Sequence, residues 1–151
     1  MPPHDIPGLG AVPMSEESID ELLREQGYGV LSLARGGEAY AVPMSFGYDG
    51  DRLFCAFLRT GEESTKAAFA DATDRASLLV SDVTGRRQWR SALVRGPLAA
   101  LDDGQWAAAA DAVRENAWYP QLFAEATPAR GVRWWVLDPE DVSGRTVRET
   151  A

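Results

Sequence analysis

Ala39-Tyr40-Ala41-Val42-Pro43-Met44-Ser45-Phe46 reads as a β-strand, and Tyr48-Asp49-Gly50-Asp51 directly after it reads as a tight turn into a further strand, Arg52–Phe57. Upstream, Gly29–Leu33 and Ala39–Phe46 flank Arg35-Gly36-Gly37-Glu38, where paired glycines favour a two-residue hairpin turn. Three strands in a meander follow. Pro43 stands in the middle of the second. A proline removes one ladder donor, so this strand is expected to have an open side.

Working outward, residues 1–13 carry Pro2, Pro3, Pro7 and Pro13 and read as a flexible or extended tail, leaving 14–151 as a single domain. Ser15 is a good helix N-cap, Glu16 and Glu17 suit the positive helix end, and Met14 can staple onto Ile19. Ile19, Leu22 and Leu23 form one apolar stripe, and Gly27 stops the helix. Beyond the meander, Glu63–Ala72 predicts a short helix with Ala67, Ala68 and Phe69 as its apolar residues. Arg75–Asp82 returns to strand, Thr84–Arg87 makes a loop, and Gln88–Ala99 is a long strand in which Pro97 predicts an edge or a bulge. Asp102 and Asp103 open an alanine-rich helix through about Arg114, with Trp106, Ala109, Ala110 and Val113 on one side. Asn116–Phe123 is aromatic and broken by Pro120. Val132–Leu137 is the last strand, with Val142–Arg145 trailing.

This order predicts an α+β, mainly β fold, with six antiparallel strands in a small closed or half-closed barrel flanked by helices. A doubly wound alternative lacks its glycine-rich fingerprint.

The 151 residues, 45% of them hydrophobic, suffice for one ordinary globular core. No apolar run approaches a membrane span, no signal pattern opens the chain, and a single cysteine cannot staple it, so a cytoplasmic setting is expected. A net charge of −8 argues against nucleic acid or an anionic membrane as partner. The acidic, arginine-rich surface is also what salt adaptation would produce. No metal centre is expected, because His4 is the only histidine and lies in the tail.

The same scarcity of histidine excludes a nucleophilic triad. Cys55 alternates into an apolar strand and reads as an inert core thiol. No carboxylate stands out as a tuned acid or base, so any catalysis would need a cofactor. One residue does stand out. Lys66 is the only lysine beside 14 arginines, and it follows Ser64 and Thr65. It is either a surface accident or a compact ammonium kept to hold an anion such as a phosphate. Three segments line up as a possible cofactor cradle: Ala41–Phe46, Phe57–Lys66 and Trp89–Pro97.

Over roughly residues 15–146 the sequence resembles the pyridoxamine 5′-phosphate oxidase-like family, the FMN-binding split barrels. The resemblance rests on "GVLSLA" after the opening helix, "AYAVPMSFGYDGDRLF", Lys66, "WRSALVRGPL" and "WWVLDPEDVSGR". It implies a six-stranded antiparallel Greek-key split barrel that pairs as a homodimer with FMN along the subunit interface. It also implies that Val42, Pro43, Met44 and Ser45 run beside the isoalloxazine ring. Phe57 and Leu58 would lie near the ribityl chain, and Thr65 and Lys66 would form the phosphate pair, with threonine replacing a common arginine. Ser91 falls where relatives place a glutamine near the ring. Trp134 and Trp135, being adjacent, should face opposite ways, one into the core and the other toward flavin or interface.

Departures narrow the function. The namesake oxidase carries arginine and lysine on the second strand and an arginine–histidine C-terminal stretch, and here Ala41–Phe46 has no charge and the C-terminus no histidine. Oxidation of a vitamin B6 phosphate is not expected. A flavin-dependent oxidoreductase of another small molecule is. The alternatives are the same fold holding a deazaflavin or, with little to ligate it, haem, and a non-catalytic flavin-binding or sensing module.

Overall fold

The computed structural model describes residues 10–58, 65–115 and 132–147. Its elements are β1 (Ala11–Pro13), α1 (Glu16–Gln26), β2 (Tyr28–Arg35), β3 (Glu38–Tyr48) and β4 (Leu53–Leu58), then α2 (Thr65–Ala72), β5 (Arg75–Gly85) and β6 (Gln88–Ala100). A 3₁₀ turn (Asp103–Gln105), α3 (Trp106–Arg114), β7 (Val132–Leu137) and β8 (Asp141–Val147) follow.

Local chemistry sets most of the boundaries. The Ser15 side chain accepts from the Ser18 N–H at 3.1 Å, and Gly27 closes α1 at φ 64°. Gly36 and Gly37 take φ of 56° and 82° in the β2–β3 turn, the left-handed pair that a two-residue hairpin demands. Asp49 Oδ1 accepts from the N–H groups of Asp51 and Arg52 at 2.9 and 2.6 Å, which folds the β3–β4 turn onto its own side chain.

β6, β5, β2, β3, β4 and β7 are neighbours in that order, and β7 returns to β6, so six antiparallel strands close a barrel. β5 comes back beside β2 after the β2–β3–β4 meander, which is the Greek-key arrangement. These are the six strands expected from the sequence. Two more are added. β8 pairs with Arg90–Arg95 of β6, and β1 pairs with β8, so Ala11–Pro13 belongs to the sheet rather than to a tail. Residues 1–9 and 116–131 lie outside the described residues, as do the expectations made for them.

Pro97 marks neither an edge nor a bulge. β6 pairs with β5 from Gln88 to Pro97, while its other side passes from β8 to β7 about Pro97. The Leu98 N–H points to Asp74 O at 3.2 Å, so the missing donor of Pro97 falls on that handover. The bulge lies at the other end, between Val83 and Gly85.

The barrel interior is the main core. α1 plugs one end with Ile19, Leu22 and Leu23, and α2 plugs the other with Phe69 and Ala70. A second core lies outside the barrel, where Ala109, Ala112 and Val113 of α3 cover Phe54, Trp134 and Val136. The two tryptophans do face opposite ways. Trp135 is inside the barrel, while Trp134 packs under α3 rather than toward a ligand.

Candidate functional site

The barrel is split along one edge. β3 pairs with β2 from Glu38 to Ser45 but meets β4 only over Phe46–Tyr48, because β4 pairs with β7 along its whole length. Among the described residues no strand pairs with Glu38–Ser45 on the side away from β2, an opening roughly 25 Å long at the usual rise per residue. The Phe46 N–H donates to Gly27 O at 2.9 Å, which fixes the phase of the ladder. Even-numbered residues of β3 turn their backbone polar groups to β2, and odd-numbered ones turn them to the opening. Pro43 is odd. Its missing N–H leaves the β2–β3 ladder intact, as expected of a strand with an open side.

Side chains alternate the other way. Met44 is buried and Val42 half-buried against the barrel core, while Pro43 is exposed and Ser45 half-buried on the outer face. Val42, Pro43, Met44 and Ser45 are therefore divided between two faces. What they share along the opening is backbone.

Next to it, Phe57 is buried in the barrel beside Trp135, with ring centroids 5.8 Å apart. Leu58 pairs with Val132, and its side chain lies outside the described residues. Thr65, the first residue of α2, is exposed. Lys66 is half-buried, and the reason is helical geometry. Lys66, Phe69, Ala70 and Thr73 stand at i, i+3, i+4 and i+7, one face, and the last three are buried. Lysine thus takes the first place on the inward stripe. Its stem carries Nζ to 5.1 Å from the Phe57 ring centroid. No carboxylate among the described residues pairs with it, whereas Arg24, Arg75, Arg90 and Arg133 each have one.

α2 is held to the barrel at its far end. The buried Thr73 hydroxyl lies 2.6 Å from Phe69 O, its acceptor within the helix, and it accepts from the Ala34 N–H of β2 at 3.1 Å. Tyr40 stacks on Phe69 at 5.0 Å, and the Arg35 guanidinium covers the same ring at 4.6 Å. Lys66 is positioned by this packed helix.

Phe57, Lys66 and the β3 opening are thus brought together. Ser91 is not. It pairs with Ser81 of β5 and Arg145 of β8, three strand spacings from β3 or roughly 14 Å along the sheet. A ring on the β3 edge of one protomer is beyond its reach.

Sequence reasoning missed two groups here. Arg133 of β7 sits opposite Phe57, with its guanidinium 5.0 Å from the Trp135 ring and 3.3 Å from Asp71 Oδ1. Trp135 Nε1 is buried with no hydrogen-bond partner, a donor left over where the other buried side-chain polar atoms of the described residues are satisfied. The register that joins these residues is not encoded locally. The lysine's place on the stripe was countable, but Ala67 and Ala68 blur the apolar face of α2.

Other features offer less. Burial pushes the Cys55 thiol up to about 12, so it is inert. A groove of about 370 Å³ near Trp89 has its Arg90 already committed to Glu25 at 2.6 Å and Asp82 at 3.2 Å. Among the described residues no group of acidic, histidine or cysteine side chains is placed to hold a metal, and no helix is long and apolar enough to cross a membrane.

The outer face of the sheet is a different matter. Val30, Leu79 and Leu93 are adjacent across β2, β5 and β6, and Tyr28 and Val83 extend them, all between 36% and 70% exposed. Pro43 continues the row onto β3. Serine, arginine and aspartate rows flank it, through Ser32, Ser77, Arg95 and Asp141 on one side and Ser81, Ser91 and Arg145 on the other.

Comparison with known proteins agrees with this geometry. An FAD-binding protein from Mesorhizobium loti superposes with a TM-score of 0.74 at 22% identity, over 89% of this chain and 96% of that one. An FAD- and haem-binding protein from Mycobacterium smegmatis superposes with a TM-score of 0.70 at 22% identity, over 92% and 74%. Both likenesses establish the split-barrel fold. An uncharacterized protein of Rhizobium meliloti is 28% identical over 83 residues, and the match spans about half of that relative, 52% of its length. The sequence profile of pyridoxamine 5′-phosphate oxidase matches residues 15–146. The chain belongs to the pyridoxamine 5′-phosphate oxidase-like family.

Proposed function

We propose that this protein is a homodimeric FMN-binding split barrel and a flavin-dependent oxidoreductase acting on a small molecule other than a vitamin B6 phosphate. The observation that carries the reading is Lys66, an ammonium on the inward stripe of a packed helix that has no carboxylate partner among the described residues and stands near a strand edge that none of them pairs with. A cation held that way suits a phosphate. The roughly 25 Å opening suits the rest of an extended mononucleotide. Trp135 Nε1, buried and unpartnered, adds a donor at the same end of the barrel.

When bound, the flavin would supply hydride or electron transfer, chemistry that no side chain of this protein offers. The protein's part is to bind and shield. Backbone groups of Ala41 and Pro43 on the open edge would fix the ring, Lys66 and Thr65 would hold the phosphate, and Phe57 would give the ribityl chain an apolar wall. The binding of FAD by structural relatives supports a flavin, and Lys66 suits the phosphate that sets FMN and FAD apart from riboflavin. A haem would need an axial ligand, and Cys55 is sealed in the core.

The second copy would cover the outer sheet. An apolar centre of Val30, Leu79 and Leu93 between polar rows has the layout of a protein interface, and a monomer would leave that surface in water. It is continuous with Pro43, so a partner seated there would also cover the opening. Ser91 lies in the polar row beside Leu93 on that outer sheet, so a partner seated there would meet it.

The test is the visible spectrum of protein purified without added cofactor, followed by titration with FMN, FAD and riboflavin. Flavin absorption with FMN bound most tightly supports the reading. A colourless protein that binds none of the three overturns it.

A further inference from the structure

Arg133 stands across the Phe57–Trp135 ring pair from Lys66. Arg133 and Phe57 are direct cross-strand partners, so their side chains leave the sheet on the same face. Lys66 approaches Phe57 from α2, and Arg133 lies on Trp135, the ring packed against Phe57. Two cations therefore flank one aromatic pair at the end of the barrel where the strand edge opens.

Arg133 differs from Lys66 in having a carboxylate, and the bond is a weak one. A single nitrogen, Nη2, lies 3.3 Å from Asp71 Oδ1, both side chains are 36% or more exposed, and the fork geometry that makes arginine–carboxylate pairs strong is absent. Asp71 also belongs to α2, on the side of the helix turned away from the inward stripe. The guanidinium is thus tethered beside the site, and among the described residues Asp71 is its one carboxylate partner, reached through a single nitrogen.

We infer that Arg133 is the second cation of the anion site, held in reserve by Asp71 and exchanged onto the ligand's phosphate when Lys66 engages it. This deepens the flavin reading and rests on it. The exchange makes and breaks no covalent bond. One charge-assisted contact replaces another, and Asp71 is released to solvent. The arrangement would let the site stay closed by its own ion pair without ligand and favour a phosphorylated flavin over riboflavin by more than one lysine could.

The test is flavin fluorescence quenching with FMN and riboflavin on the wild type, Arg133→Gln, Arg133→Lys and Asp71→Asn. Arg133→Gln should weaken FMN binding by about ten- to a hundredfold, the range for a lost contact to a charged group, and leave riboflavin binding nearly unchanged. Arg133→Lys should recover part of that loss. Asp71→Asn, an exposed change that does not threaten folding, should tighten FMN by about two- to fivefold, the size of a surface ion pair. Equal weakening of FMN and riboflavin by Arg133→Gln, or an Asp71→Asn variant that binds FMN no better than wild type, would overturn the inference while leaving flavin binding standing. A wild type that binds neither flavin overturns both.

Discussion

Lys66→Met is the cleanest perturbation of the site, because methionine keeps most of the unbranched stem over Phe57 and removes only the charge. Two effects separate by size. In the protein without ligand, the change forfeits a cation–π contact at 5.1 Å, about 0.5–1 kcal/mol for a half-exposed pair. With FMN bound, it forfeits a charge-assisted contact of about 1.5–3 kcal/mol, or roughly a ten- to hundredfold rise in Kd. Riboflavin lacks the phosphate and should bind within about twofold of wild type, since only the small first term touches it. The salt dependence should change in step. Wild-type FMN binding should weaken as ionic strength rises, and the variant's should be flatter. The assay is quenching of flavin fluorescence at two salt concentrations, with thermal melts confirming the fold. Equal losses for FMN and riboflavin would refute the argument, because they would mean that the lysine shapes the barrel mouth rather than holding a phosphate.

Three further outcomes are expected. Leu79→Arg places a charge at the centre of the exposed apolar face and should convert a dimer to a monomer by size-exclusion chromatography with light scattering; an unchanged mass would move the interface elsewhere. Gly96→Ala should cost at least about 3 kcal/mol in urea unfolding, since its Cβ would come 1.7 Å from the backbone oxygen of Asp138, where the β7–β8 connection crosses β6. Cys55 should resist alkylation at pH 8 until the protein unfolds. Its thiol is raised from 9.0 to about 12 in the fold, so the unfolded chain ionises first, and stability should fall as pH climbs through that interval. Cys55→Ala should lessen the fall.

The parts legible in the sequence are those written in local signals. Gly36-Gly37, Asp49-Gly50 and the Ser15 cap each specify their geometry within four residues, so the meander and α1 could be placed before any tertiary contact was known. β8 has no such signal. Its first three residues are all exposed, and without an alternating apolar face it reads as a trailing segment. Only its pairing with Arg90–Arg95 makes it a strand. The site divides along the same line. Pro43 announces an open edge by itself. The meeting of Phe57, Arg133 and Lys66 depends on the β4–β7 register and on the way α2 is clamped by Thr73, both long-range facts. Ser91 lies three strand spacings from β3 within one protomer, a separation that order along the chain does not display.

Pro43 also explains why the opening can exist at all. Closing six strands through β4–β7 pairing pulls β4 away from β3 beyond Phe46, and a bare strand edge is left behind. Such an edge invites pairing with another chain, a hazard that proteins commonly blunt with proline or charge. Ala39–Ser45 carries no charge to deter it. Pro43 is the one residue of that stretch that interrupts the row of donors, and it does so on the open side without touching the β2–β3 ladder. A β-strand needs a regular row of donors and acceptors, so the proline hinders it. A planar ring that takes one or two backbone contacts needs no such row. The same substitution therefore selects against a strand and leaves room for a flat ligand. On this argument Pro43→Ala should spare flavin affinity and increase concentration-dependent aggregation of the ligand-free protein, measured by light scattering. A variant that lost flavin and stayed as soluble as wild type would show that the proline shapes the pocket instead.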